Sequence, residues 1–257
     1  MKQFLVVLVT IFCIQQTHSQ YVTIFGGVKP LNIKSSSIQL AYLDESPNPD
    51  YFYSNTTVNS SLVYNLGASI DGFKHMKNIY YDLGANLFVG DQFFGLEASA
   101  SIGYPLYLTK KRSMAIIPTF SSGYGSSERK MGTMINHTTY IQVNSTVFQN
   151  YTNVDVSLQK AYIPLRPSLN FLFDASKKIQ VRISAAYLYC IYTVNQVKFS
   201  GTDNSGKAVS DGEDFNAPNI TYTVNGQQSK DSPIDIKGFE FRLGVAINLS
   251  KEQKASH

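Results

Sequence analysis

The stretch FGLEASASIGYPLY, residues Phe94 to Tyr107, alternates position by position between two kinds of residue. One face of such a stretch carries Phe94, Leu96, Ala98, Ala100, Ile102, Tyr104 and Leu106. A period of two is typical of a β-strand with one apolar face. The other face is small and mostly uncharged, unlike a strand with one side in bulk water. The pattern therefore favours a narrow barrel that is apolar outside and tightly packed inside, as in a membrane-spanning β-barrel.

The same alternation recurs along the chain. It begins near Tyr21 and appears again in residues 62–70, 79–87, 114–120, 161–173, 179–191 and 239–249. With the stretch above, these make eight strands, each long enough for a tilted membrane span. We predict an all-β fold, a membrane-spanning antiparallel up-and-down β-barrel of eight strands. Asn225-Gly226 is a hairpin turn signal, which we expect to fold the connection at 200–233 into a ribbon above the membrane; a ten-stranded barrel is the alternative.

Connection lengths give a second argument for a barrel. The connections at 71–77, 109–113 and 174–177 are short, whereas those at 44–57, 125–155 and 200–233 are long. Short and long connections thus fall on opposite sides, with one short exception at 89–92. This asymmetry is typical of outer-membrane barrels, whose long loops face outward. An even strand number places both termini on the short-turn side.

The amino terminus predicts export. Lys2 precedes an apolar run from Phe4 to Ile14 that is too short to span a bilayer, and small residues follow at Thr17 and Ser19. We expect residues 1–19 to be a cleaved signal peptide, residues 20–250 the outer-membrane barrel, and residues 251–257 a short polar tail.

Composition agrees with an exported β-protein. The charged fraction is 16%, against roughly 25% in soluble domains. The net charge of +4 falls to +3 when Lys2 leaves with the signal peptide, which is too mild to suggest nucleic-acid binding. Only Cys190 remains in the mature chain, so no internal disulfide is expected.

Two motifs carry a resemblance to a known family. Gly26-Gly-Val-Lys-Pro-Leu-Asn32 is similar to the opening strand, and Arg242-Leu-Gly-Val-Ala-Ile-Asn-Leu249 to the terminal assembly signal, of small bacterial outer-membrane β-barrel proteins of the porin-like, PorT-like group. The resemblance implies a barrel in the outer membrane of a Gram-negative bacterium. It also implies that the barrel-assembly machinery reads Arg242, Gly244, Ile247 and Leu249, and it implies no particular ligand.

Six charged residues fall on the inward faces of the predicted strands. They are Asp82, Glu97, Arg166, Arg182, Glu240 and Arg242. An eight-stranded barrel is just wide enough for side chains to fill it, and buried charges need partners. We therefore expect an interior charge network that fills the lumen, with a gated pore as the alternative.

No catalytic, cofactor or metal site is predicted. None of the four histidines, His18, His75, His137 and His257, stands on a predicted strand beside a serine and a carboxylate. The acidic residues between Asp203 and Asp231 match no calcium-loop spacing. Seven Asn-x-Ser/Thr triplets occur, in a chain rich in these residues.

We therefore expect a non-enzymatic integral outer-membrane barrel that serves as a structural element or a surface-binding platform. The partners expected are outer-membrane lipid, the barrel-assembly machinery and an unknown extracellular ligand bound by the loops. A small passive pore or transport component is one alternative function. A soluble secreted β-barrel or sandwich, with its apolar faces turned inward, is the other.

Overall fold

The computed structural model describes residues 20–31, 35–59, 61–74, 79–137, 140–149 and 153–249. All regular structure in these ranges is β-strand. Among them there is no helix of the length and apolarity needed to cross a membrane. The predicted signal peptide, the predicted tail and Asn32 lie outside the described residues.

The described ranges contain sixteen strands, β1 to β16 in chain order. They are β1 (Gln20–Leu31), β2 (Ser36–Leu43), β3 (Tyr51–Val58), β4 (Ser61–Lys74), β5 (Ile79–Gly90), β6 (Phe93–Gly103), β7 (Leu106–Tyr107), β8 (Met114–Met134), β9 (Ile141–Val143), β10 (Thr146–Phe148), β11 (Val154–Asp174), β12 (Ile179–Thr202), β13 (Ala208–Glu213), β14 (Ile220–Val224), β15 (Gln227–Gln228) and β16 (Gly238–Asn248).

The longest sheet closes on itself as an antiparallel ring. Its order is β1-β4-β5-β6-β8-β11-β12-β16, and β16 pairs back onto β1 with Ile24 opposite Val245. Eight strands of the described chain form this ring, and the short strands β7 and β13 add to the same sheet at β8 and β12. The ring is an up-and-down β-barrel, because successive ring strands in the chain are neighbours in the sheet.

The ring is apolar outside and polar inside. Leu66, Leu96 and Leu243 are 55–60% exposed on the outer surface, whereas Glu97 and Glu240 are buried within the ring. A soluble barrel would hide the leucines and expose the carboxylates. The structure therefore has the faces expected for contact with lipid, and the reverse of the soluble alternative.

The stretch from Phe94 to Tyr107 is interrupted rather than continuous. β6 ends at Gly103, and Tyr104 and Pro105 lie outside any strand. The register nevertheless continues, with Gly103 opposite Thr119 and Leu106 opposite Ile116. Proline has no backbone N–H for the ladder, so the break costs pairing without changing which side chains face outward.

The three long connections contain β-strands, so the expectation of loops is wrong, whereas the hairpin expected at Asn225-Gly226 is present. The connection at 44–57 contains most of β3, which pairs with β2. The connection at 125–155 is shortened because β8 and β11 extend into it, and the connection at 200–233 contains β13, β14 and β15. A second sheet of order β15-β14-β2-β3 joins the first and seventh connections. We call this region, residues 36–58, 125–160 and 194–236, the cap.

The turn signal at Asn225-Gly226 forms a hairpin in the cap. Both residues have positive φ, 53° and 77°, as a type I′ turn requires, and they connect β14 to β15. These strands pair in the cap sheet and take no part in the ring.

The cap has an apolar core of its own. Leu40, Tyr42 and Tyr222 of the cap sheet are buried against Val156 and Phe199 of the extended ring strands. The rings of Tyr42 and Phe199 are 4.4 Å apart. The same cluster continues into the barrel through Val63, Phe88 and Leu188, so the cap packs on one end of the ring. We call this end the cap side and the end with the turns at 108–113 and 175–178 the turn side.

Candidate functional site: the lumen and its cap

The centre of the lumen holds a buried ion pair. Arg166 of β11 faces inward because its neighbour Leu165 takes the outward position. Its Nη1 lies 2.6 Å from Glu97 Oε1 and its Nη2 lies 2.9 Å from Glu97 Oε2. This bidentate geometry is the strongest form of an arginine–carboxylate contact. Both side chains are almost fully buried, so each charge depends on the other.

Glu240 of β16 extends this pair into a cluster. Arg166 Nε lies 3.0 Å from Glu240 Oε2, and Arg242 Nε lies 2.7 Å from Glu240 Oε1. Asn65 donates a hydrogen bond to Glu240, and Asn86 donates one to Glu97 at 3.3 Å. We call Glu97, Arg166, Glu240 and Arg242 the ion-pair cluster. Four of the six predicted lumen charges thus meet in one place.

Arg182 belongs to a second, separate pair. Its Nη1 lies 2.5 Å from Asp71 Oδ2, and Thr23 donates a hydrogen bond of 2.8 Å to the other oxygen of Asp71. Asp71 was predicted to begin a turn, which is wrong: β4 continues to Lys74 and buries Asp71 completely. The sequence signal was present, since Asp71 continues the polar face of Asn65, Gly67 and Ser69.

Asp82 makes no ion pair with any described residue. It accepts a long hydrogen bond of 3.4 Å from Tyr80 and lines a polar cavity with Arg182 and Arg242. The cavity has a volume of about 70 Å³, enough for several water molecules. The lumen is therefore filled at the ion-pair cluster but not throughout, which corrects the expectation of a completely filled interior.

Lys29 lies between the ion-pair cluster and the apolar core. It is not among the lumen charges predicted from the sequence. Its side chain is buried, and its Nζ has no hydrogen-bond partner among the described residues. It lines a small gap with Tyr162, Leu188 and Ile236. The lumen thus changes from polar to apolar at Lys29, and the cap closes it from there outward.

A short segment of the cap, residues 232–236, is hydrogen-bonded to β11 and β12. Tyr192 donates a hydrogen bond of 2.5 Å to Asp235, and Lys160 donates one of 2.9 Å to the Ser232 carbonyl. Burial raises the pKa of Asp235, but the Tyr192 hydrogen bond, the Lys237 backbone N–H and the nearby lysines outweigh it and leave that pKa below its usual value. The Asp235 carboxylate and the Ser232 carbonyl therefore hold the segment 232–236 against β12 and β11.

The outer face of the cap sheet is uncharged and carries exposed tyrosines. Tyr51 and Tyr53 of β3 are 64% and 55% exposed. Tyr53 stands opposite Ala41, and Asn55 stands opposite Gln39. Exposed aromatic rings beside amide groups offer both apolar contact and hydrogen bonds.

Three residues of the predicted assembly signal lie on β16, and the fourth, Leu249, follows it directly. Ile247 and Leu249 are exposed on the outside, 49% and 53%, while Arg242 and Gly244 face the lumen. A Cβ at Gly244 would lie 3.0 Å from both the Ile24 carbonyl oxygen and Phe25 Cβ. Only a small residue fits where β16 meets β1.

The histidines provide no arrangement for catalysis in the described chain. His137 is exposed, and its backbone N–H donates to Asp50. His18, His75 and His257 lie outside the described residues. Within the described ranges, no three histidine, cysteine or acidic side chains come together as metal ligands.

Comparisons with known proteins add little to this geometry. No model of a known protein family matches the chain, and no curated protein matches it. Two solved structures align over most of its length. The beta domain of the Bordetella autotransporter BrkA is 10% identical over 89% of this chain and 98% of that chain, with a TM-score of 0.23. The translocator domain of the autotransporter NalP from Neisseria meningitidis is 10% identical over 96% and 94%, with a TM-score of 0.21. Scores this low carry no argument about this chain.

Proposed function

We propose that this chain is a non-enzymatic integral β-barrel of the bacterial outer membrane, with eight membrane-spanning strands, a closed lumen and a folded cap that binds a partner outside the cell. The observation that carries the location is the outer surface of the ring. It exposes a belt of large apolar side chains, while the charges are buried inside. Exposure of this surface is unfavourable in water and favourable against lipid tails.

Membership in the PorT-like group is part of the same proposal. It rests on the two motifs at Gly26–Asn32 and Arg242–Leu249, because no family model matches the chain. The positions of Gly244 and Ile247 on β16 are compatible with an assembly signal: one permits close packing against β1 and the other faces outward.

The experiment for location is cell fractionation followed by electrophoresis with and without boiling. Folded outer-membrane barrels migrate anomalously unless boiled, because the hydrogen-bonded ring resists detergent. We expect the protein in the outer-membrane fraction, with a mobility that changes on boiling. A soluble protein with one mobility would refute the proposal.

The proposed binding role belongs to the cap, because function on such scaffolds lies in the outward segments that the barrel supports. The exposed Tyr51 and Tyr53 provide the best contact surface. Cells carrying Tyr51→Ala and Tyr53→Ala should lose whatever surface binding the wild type shows, with unchanged protein level. If binding persists, the partner must contact another part of the molecule.

A passive pore is the second candidate, and the polar cavity near Asp82 and Arg182 is the observation that favours it. A continuous pore would have to pass both the ion-pair cluster and the apolar core of the cap. Planar-bilayer recording distinguishes the two functions, because a closed lumen gives no large steady current.

A further inference from the structure

The turn side of the barrel carries a contiguous group of cations. It consists of Lys110, Lys111, Arg112, Lys177 and Lys178, which we call the basic rim. All five residues are exposed. They lie on two turns, one between β7 and β8 and the other between β11 and β12. None of them forms an ion pair with a described residue.

The two turns form one surface because β8 and β11 are neighbours in the ring. The backbone N–H of Asp174 donates to the Ser113 carbonyl at 2.9 Å, which joins the turns directly. The Asp174 carboxylate is engaged by Gln180 Nε2 at 2.8 Å. The acidic group closest to these turns in sequence therefore has a partner of its own and does not pair with the rim.

Both turns are rigidly built. Ser113 N–H donates to Thr109 Oγ1 at 3.0 Å, and Arg112 N–H donates to the Thr109 carbonyl at 2.9 Å. In the other turn, the N–H of Ile179 donates to Ser176 Oγ at 3.1 Å. Arg112 also lies over the Tyr107 ring, 4.9 Å from its centroid. The backbone that carries the cations is thus hydrogen-bonded within each turn at the barrel edge.

The basic rim borders the apolar belt directly. Leu108 is 57% exposed two residues before Lys110, and Ile179 is 44% exposed next to Lys178. A cation at this boundary, with lipid tails on one side and water on the other, lies at the depth of the lipid headgroups. Lysine and arginine in that position attract anionic lipid.

We propose that the basic rim recruits anionic phospholipid headgroups from the leaflet on the turn side. This inference rests on the proposed membrane location. The partner is a lipid rather than a soluble polyanion because the cations are continuous with the lipid-facing surface. Recruitment would fix the depth and tilt of the barrel in a membrane whose two leaflets differ in charge.

The absence of tryptophan from the sequence permits a site-specific test. The full protein carrying Leu108→Trp has a single reporter at the basic rim, and Tyr64→Trp places one on an exposed position at the cap side. Each is reconstituted in phosphatidylcholine containing a minority of phosphatidylglycerol. Quenching is compared when either lipid is the brominated one.

At the rim reporter we expect phosphatidylglycerol to be enriched about twofold or more over its bulk fraction, and at the cap-side reporter we expect no enrichment. Lys110→Gln with Lys111→Gln should reduce the rim excess. The matched control, Lys207→Gln with Lys230→Gln in exposed parts of the cap, removes the same charge and should leave it unchanged. About 1 M salt should abolish the excess, because the Debye length falls to about 3 Å.

Equal enrichment at both reporters, or an excess that the rim substitutions do not change, would overturn the inference. Quenching by brominated phosphatidylcholine without any phosphatidylglycerol excess would refute the headgroup proposal and leave the membrane location intact. If neither lipid quenches the reporter at position 108, the membrane location itself fails and this inference fails with it.

Discussion

Arg166 and Glu97 form a bidentate ion pair although their strands do not pair with each other. β11 and β6 are separated in the ring by β8, and the shorter of the two contacts is 2.6 Å. The pair therefore connects parts of the barrel that backbone hydrogen bonds leave unconnected. With Glu240 on β16, the same guanidinium joins three strands around the lumen.

Removal of this guanidinium should destabilise the barrel strongly. We expect Arg166→Ala to lower the free energy of unfolding by about 3–5 kcal/mol, because Glu97 loses its ion-pair partner in a buried position and Glu240 is left with Arg242 alone. Urea unfolding in lipid vesicles measures the loss. Lys130→Ala is the matched control, since the Lys130–Asp155 pair is about half exposed, and it should cost less than about 1 kcal/mol. Equal losses would mean that the buried pair contributes no more to stability than the half-exposed pair.

An arginine on the outer surface of the ring should cost free energy in proportion to its depth in the membrane. Leu96→Arg and Leu243→Arg should each destabilise the inserted protein by about 2–4 kcal/mol near mid-membrane. Leu43→Arg, at an exposed position of the cap, should have little effect. If all three variants insert and unfold alike, the outer surface does not contact lipid.

The intact protein should carry no large steady current in planar bilayers. Replacement of both Glu97 and Arg166 by alanine removes the tightest pair of the ion-pair cluster without leaving either charge unpaired. We still expect no current, because the apolar core of the cap closes the lumen beyond Lys29. A current in the double variant but not in the wild type would show that the cluster alone closes the barrel.

The cap should unfold separately from the ring. Phe199→Ala removes a fully buried side chain from the cap core, a loss of about 3–5 kcal/mol. Protease added to intact cells should cut this variant at many cap sites, whereas wild type should be cut first at the exposed turn 203–206. Tyr53→Ala, an exposed aromatic of the same cap, is the control and should resemble wild type. The heat-modifiable band of the ring should remain in all three proteins.

Acid should loosen the segment 232–236. The pKa of Asp235 is lower in the folded protein than its ordinary value of about 3.9. Its contribution to stability is therefore complete above that value and is lost as the pH falls through the lower, folded-state pKa. Protease sensitivity of the cap should rise over this range in wild type. The Asp235→Asn variant has no carboxylate to titrate at this position. The protease sensitivity of its cap at neutral pH should therefore be higher than that of wild type and should change less with acid.

The sequence predicts the ring well because one rule governs it: apolar side chains alternate and face outward. That rule locates β4 from Leu62 to Ile70 and β16 from Phe239 onward. It fails at the cap, where apolar side chains face inward. The change of face occurs at Thr193, the extra residue between Tyr192 and Val194 in the pairing of β12 with β11. A β-bulge of this kind shifts the alternation by one.

The bulge explains why the alternation predicts too early an end for β12. Before Thr193 the odd-numbered Tyr189 and Ile191 are exposed outside, and after it the odd-numbered Val197 and Phe199 are buried. A pattern read with a constant period therefore ends at Ile191, although the strand continues to Thr202. The partners of the lumen charges were not predictable either, because Arg166 contacts strands two positions away on both sides and spacing along the chain does not encode such contacts.

The cap sheet also constrains the order in which the molecule assembles. Its central pairing joins β2 to β14, with Leu40 opposite Tyr222, and Ser37 N–H donates to Asn225 across 188 residues of sequence. Ring closure joins the same two ends of the chain, through β1 and β16. Contacts so distant in sequence form slowly, and neither can form while the final strands are still being delivered. A conformation-specific antibody against the β2–β14 surface should therefore bind barrels whose assembly is complete and should not bind barrels that still lack their final strands.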